Sequence, residues 1–198
     1  NKRKIPLPQI TSSGVISSIN TSKYFSLDYS EPGDSPIDQY IENNKILNLI
    51  PLNGTFTKEM ASIVILGYMS AVESYLRAIF RGIIRIDEFS QKLVENMEVP
   101  FAAAIHHSRE LLPEALFEGT SLANHATIKK SLGKFIGITQ ELPPDVKKVL
   151  IEFSKICEIR HCCVHRFGKL GAKNAVKLGL SDHSPFLEKP WDVKKPDL

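Results

Sequence analysis

Apolar residues recur at helical spacing through most of the chain, and two proline-rich ends frame that pattern. From Thr57 to about Arg85 they cover most of a helix circumference, with Val64, Tyr68, Ala71, Val72 and Phe80 among them. Polar positions are confined to a narrow strip that holds Glu59, Ser62, Glu73, Arg77 and Arg81. A helix this apolar belongs at the centre of a bundle or at an oligomer interface. Thr57 supplies an N-cap side chain for it.

Shorter helices follow. Asp87 caps one that runs to about Met97, and Pro100 opens one through His106 and His107 towards Phe117, bent or split by Pro113. Ser121 or Asn124 starts the next, which ends near Gly137. Pro143 and Pro144 open a long helix from about Asp145 that closes near Gly168, and Ala172–Leu180 adds a short turn. The region 1–55 is proline- and serine-rich, with one short helix at Ile37–Leu49 and a strand-like piece at Tyr24–Tyr29. These patterns predict an all-α bundle of about five helices with an irregular N-terminal arm. The expected layout is an arm or small subdomain over 1–55, a helical domain over 56–180 and an irregular tail over 181–198. There is no strand–helix alternation, glycine-rich phosphate loop or Gly-x-Ser-x-Gly turn, which argues against a nucleotide-binding α/β fold or an α/β-hydrolase.

Composition adds little to the fold but sharpens the chemistry. The 198 residues are 42% hydrophobic and 24% charged, the balance of a globular protein. No run of eighteen apolar residues occurs, so no membrane span or membrane partner is expected. The first residue is Asn1, not methionine, which leaves room for a longer parent chain. All three cysteines fall at Cys157, Cys162 and Cys163, too close together for a disulfide framework, which points to a reducing cytoplasm. The net charge is only +3. Between Val146 and Lys177, however, eight basic residues face only Glu152 and Glu158, a local charge of +6. That concentration suits a polyanion, although a solvated helix face would look the same.

The basic stretch contains Glu158-Ile-Arg-His-Cys-Cys-Val-His-Arg-Phe-Gly168. On a helical wheel Val146, Val149, Phe153, Ile156, Cys157 and Val164 form one stripe, and Arg160 falls in its middle. A cation in that position is costly unless it is paired or faces a site or a partner chain. His161 and His165 are four residues apart and share one side of the helix.

Three readings follow. In the first, Cys157, His161 and His165 form a metal face completed by His106, His107 or His125. In the second, the cysteines are small core residues and the histidines are incidental. In the third, Arg160 and His165 are the chemistry, with Cys162, Cys163 and Val164 as spacers. Arginine offers a fixed charge and a fork for phosphate oxygens, and histidine titrates near neutral pH as acid or base.

The third reading carries a resemblance. Arg160-His161-Cys162-Cys163-Val164-His165 resembles the Arg-polar-x-x-x-His signature of the HEPN superfamily, and Glu73-Ser-Tyr-Leu-Arg77 resembles that family's acidic, aromatic helix. The likeness spans roughly residues 57–180. It implies a metal-independent endoribonuclease with no cofactor, active as a homodimer whose two motifs meet in one composite site. It implies RNA as the substrate, a role as a toxin or phage-defence effector, and a possible antitoxin or regulatory protein as partner. It makes Arg160 and His165 catalytic, His161 a second proton-transfer group or an orienter of the arginine, and Glu73 a contributor to the site. The competing view of Glu73 is a simple i,i+4 pair with Arg77. Arg166, Lys169 and Lys173 are candidate RNA phosphate contacts, or ordinary surface charge. A non-catalytic helical module binding RNA, nucleotide or protein through the same face is the alternative function.

Overall fold

A computed structural model describes residues 35–49 and 57–192, and among them the chain is all-α, with no strand. Seven α-helices follow in order: α1 Pro36–Leu49, α2 Lys58–Ile86, α3 Glu88–Val94, α4 Phe101–His106, α5 His125–Ser131, α6 Pro144–Arg166 and α7 Ala172–Lys177. A 3-10 turn at Leu112–Leu116 and a π turn at Leu132–Ile136 fill the longer connections. The count exceeds the expected five because α1 and α7 are helices as well, while the stretch after Pro100 is shortened to α4 and followed by the 3-10 turn at Pro113. The strand-like piece Tyr24–Tyr29 lies outside the described residues.

Local chemistry sets the boundaries. Thr57 Oγ1 accepts the Met60 N–H at 3.3 Å and starts α2. Asp87 ends α2 and caps α3, accepting from both the Ser90 N–H and the Ser90 hydroxyl. Asn124 Oδ1 accepts the Ala126 and Thr127 N–H groups at the head of α5. At Gly137 the backbone turns left-handed with φ 79°, and an added Cβ would lie 2.3 Å from the Phe89 ring. Glycine alone satisfies both conditions there.

Helix α2 is the hub. By length and composition its segment Glu59–Ile86 could cross a membrane. Here it packs against α1, α3, α6 and both short turns. Phe80 on α2 stacks with Phe117 and Phe135, whose mutual centroid distance is 4.7 Å, and Ile84, Leu122 and Ile128 close this core. Helix α1, counted by its sequence with the N-terminal arm, lies on α2 with Tyr40 5.1 Å from Tyr75 and Leu47 against Gly67.

The polar strip of α2 is a clamp. Arg77 donates to the Phe117 carbonyl at 2.9 Å and the Thr120 carbonyl at 2.6 Å, and pairs with Glu114. Glu73 Oε1 accepts the Leu122 N–H at 2.7 Å and lies 3.7 Å from Arg77. The loop 117–122 thereby finds partners for backbone groups that would otherwise be buried without them.

The end of α6 sits under a C-terminal strap. Phe167 and Gly168 both adopt positive φ and end the helix, their N–H groups turned back to the Cys162 carbonyl. The chain then returns so that Leu170 and residues 188–189 exchange backbone hydrogen bonds, and the Trp191 N–H donates to the Gly168 carbonyl. Trp191 Nε1 donates to Ser62 Oγ at 2.9 Å, fastening the strap to α2.

Candidate functional site

Helix α6 does not bury a single stripe. Cys157 packs with Met69, Ala123 and Phe153, Cys163 faces Ser62 of α2, and Cys162 lies beneath the turn that leads to α7. Val149, Ile156 and Val164, expected on the inner stripe, are 66%, 38% and 45% exposed, and Phe167 is 86% exposed. The physical reason is that the neighbours of α6 change along its length. Helices α2 and α5 flank it, and α7 joins them at its C-terminal part. Cys162 and Cys163 are therefore core residues and not mere spacers.

Arg160 is half-buried beside these exposed apolar residues. It has no hydrogen bond or ion pair among the described residues. The expected predicament of an unpaired cation on an apolar surface is present, but that surface is open instead of internal.

His161 and His165 are both exposed, with ring centroids 4.4 Å apart, as their i,i+4 spacing requires. They line a cleft of about 350 Å³ between α6 and α7, together with Lys173, Lys177, Arg166, Glu158 and Asn174. Burial lowers the His161 pKa first, and the charge of His165 adds to this. Lys177 and Arg160 push the same way, while Glu158 opposes. His161 is thus a neutral imidazole at neutral pH, able to accept a proton. Burial alone would raise the Glu158 carboxyl. Hydrogen bonds from Lys177 at 2.5 Å and Asn174 at 2.8 Å, with the Lys177 charge, outweigh it and hold the pKa below the ordinary value. Glu158 is thereby the anionic anchor that aligns α7 with the histidines.

The remaining expected residues divide. Lys173 lies in the cleft. Arg166 borders it, but pairs with Glu188 of the strap. Lys169 lies elsewhere, at an apolar pocket with Phe167, Cys163 and Trp191. Glu73 is engaged by Leu122 and Arg77, and no hydrogen bond or ion pair joins it to Arg160 or His165. Arg160 does not line the histidine cleft. Lys177, Glu158 and Asn174 were not singled out as site residues in the sequence. The i,i+4 spacing of Lys173 and Lys177 was the available signal for one of them.

The metal face does not assemble. Cys157 is in the core, its thiol pushed up to about 11 by burial and then by Glu158, while the histidines face outward. Among the described residues no group of three or more His, Cys, Asp or Glu side chains is placed to hold a metal ion. His107 approaches Glu118 instead, at 3.7 Å. No family model, curated protein or solved structure matches the chain.

Proposed function

We propose that the protein is a metal-independent endoribonuclease of HEPN type that cleaves single-stranded or looped RNA as a homodimer. The observation that carries this reading is the pair of imidazoles in a lysine-lined cleft, with His161 held neutral. One imidazole takes the proton of the 2′-hydroxyl, the other protonates the leaving 5′-oxygen, and the products are a 2′,3′-cyclic phosphate and a 5′-hydroxyl. Each such transfer contributes about 10²–10⁴ in rate. Lys173 and Lys177 attract the backbone, and Arg160 supplies the fixed charge for the phosphorane.

Within one chain Arg160 is outside that cleft. A second copy, docked over Val149, Ile156, Val164 and Phe167, would cover the exposed apolar face and present its own Arg160 to the phosphate. In this reading the protein acts in the cytoplasm as a toxin or phage-defence effector, restrained by an antitoxin or regulatory protein.

The test is cleavage of a labelled single-stranded RNA in EDTA. Wild-type protein should yield cyclic phosphate ends, and His165→Ala and Arg160→Ala should lose at least 10²-fold in rate. The separation of Arg160 from the cleft also favours a second reading, a binding module without catalysis. Wild-type protein that binds RNA and cleaves none would establish that reading and end the first. Activity abolished by EDTA and restored by zinc would end both.

A further inference from the structure

Arg166 is the last residue of α6 and borders the histidine cleft, yet its guanidinium Nη2 is committed to the carboxylate of Glu188. Its Nε is buried and has no hydrogen-bond partner. It is pressed against Gly171, where an added Cβ would lie 3.2 Å from that nitrogen. One edge of a planar five-donor group is therefore idle and the other is filled by an internal anion.

Glu188 reaches this position at a cost. Its φ is +59°, a left-handed conformation that disfavours a glutamate by about 1–2 kcal/mol. Glycine would sit there more easily. The strap does not need the carboxylate to stay in place. The Glu188 N–H donates to the Leu170 carbonyl at 3.0 Å, the Leu170 N–H to the Lys189 carbonyl at 3.1 Å, and Trp191 is tied to Gly168 and Ser62. A strained residue whose side chain is dispensable for its own segment, but which fills an arginine beside a cleft, points to a role for that side chain.

We infer that Arg166 is a phosphate-binding subsite of the histidine cleft and that the Glu188 carboxylate is a built-in competitor that occupies it. A phosphate group entering between Arg166, Lys173 and Lys177 displaces the carboxylate and takes its place on the Nη side of the guanidinium, Nε being closed off against Gly171, so that a charge-assisted contact to phosphate replaces one exposed pair. Binding is thereby weakened for an isolated phosphate, which must displace Glu188 with one group. It is weakened less for a strand, which can also bind through Lys173 and Lys177 with the Arg166–Glu188 pair left intact. This rests on the cleft being the RNA site proposed above.

The experiment measures binding, not cleavage. Inorganic phosphate and a single-stranded oligodeoxyribonucleotide, which lacks the 2′-hydroxyl and stays intact, are titrated separately into wild type, Glu188→Gln, Glu188→Gly and Arg166→Ala, and into Glu188→Gln combined with Arg166→Ala. Both Glu188 variants should bind inorganic phosphate about two- to fivefold more tightly, the size of one released exposed ion pair. The oligonucleotide should gain less. Arg166→Ala should bind weakly, and adding Glu188→Gln to it should bring no gain. Fluorescence of Trp191, the single tryptophan, should stay unchanged and report an intact strap. Gln keeps the backbone strain and Gly relieves it, so a gain shared by both belongs to the carboxylate. Equal phosphate affinity in wild type and both Glu188 variants overturns the inference, as does a gain that survives Arg166→Ala. A protein that shows the gain but cleaves no RNA would refute the nuclease reading alone. One that cleaves RNA and ignores Glu188 would refute this inference alone.

Discussion

Glu73 is where a structural and a catalytic role make opposite predictions. In the fold it accepts the N–H of Leu122, which is fully buried, and it flanks Arg77 at 3.7 Å. Glu73→Ala leaves that N–H without a partner, which costs about 1–3 kcal/mol. The part-exposed pair with Arg77 adds about 0.2–1 kcal/mol, since Arg77 keeps Glu114 and two carbonyls. A loss of about 2–3 kcal/mol corresponds to a fall in Tm of about 5–10 °C for a chain of this size. Glu73→Gln keeps an oxygen for Leu122 and loses only the charge, so its Tm should fall by about 2–4 °C. Thermal denaturation followed by far-UV circular dichroism measures both, with urea midpoints as the check on unchanged m. RNA cleavage assayed well below either midpoint should be retained by Glu73→Gln. If Glu73→Ala melts within a degree of wild type, the brace does not exist. If Glu73→Gln is stable and inactive, Glu73 belongs to the site.

Three further outcomes follow from the same geometry. Cys157, Cys162 and Cys163 are all buried, with burial the leading cause of each raised pKa, so native protein at pH 7.5 should leave a disulfide reagent almost unreacted. All three thiols should react once guanidinium unfolds the chain. His161 should titrate below 6.5 by NMR, moving up in His165→Ala and further down in Glu158→Gln. Because its folded pKa is the depressed one, its contribution to stability is present above about pH 6.5 and lost as pH falls through the folded value, and a midpoint at or above 6.5 would contradict the assignment. Gly137→Ala should cost about 2 kcal/mol or more, from the left-handed backbone and the 2.3 Å approach to Phe89, measured by urea denaturation.

The helix ends were legible because their signals are local. Thr57, Asp87, Asn124 and Gly137 each act within a few residues, and each stands where the pattern places it. The His161–His165 contact was legible for the same reason. The inward face of α6 was not, because a wheel assumes one neighbour along the whole helix. Here Phe153 and Cys157 answer to α2 and its surroundings, while Cys162 answers to the chain that follows the helix. The fate of Arg166 was also hidden. Its partner Glu188 stands 22 residues away on a strap whose position depends on backbone bonds to Leu170 and on Trp191 reaching Ser62. Nothing in the spacing of charges encodes a pairing of that kind. The same holds for Glu73, whose partner is a backbone N–H and so leaves no residue-type signature.

His165 lies five positions after Arg160, which turns their side chains about 140° apart around the helix axis. One faces the exposed apolar surface and the other the lysine-lined cleft, so a single helix does not aim both at one phosphate. If the arginine comes from a second copy, Arg160→Ala and His165→Ala must each be inactive alone yet complement each other. In the mixed dimer one site combines the intact histidine of one chain with the intact arginine of the other, and the second site has neither. Random exchange makes half of the dimers mixed, each with one working site of two, so an equimolar mixture should recover about a quarter of wild-type activity. The mixture is incubated at a concentration where light scattering shows dimers, then assayed on the same single-stranded RNA. Recovery that grows with the time allowed for subunit exchange is the expected result. Mixed dimers that form and stay inactive would refute the shared site, and a monomer with full activity would remove the need for it.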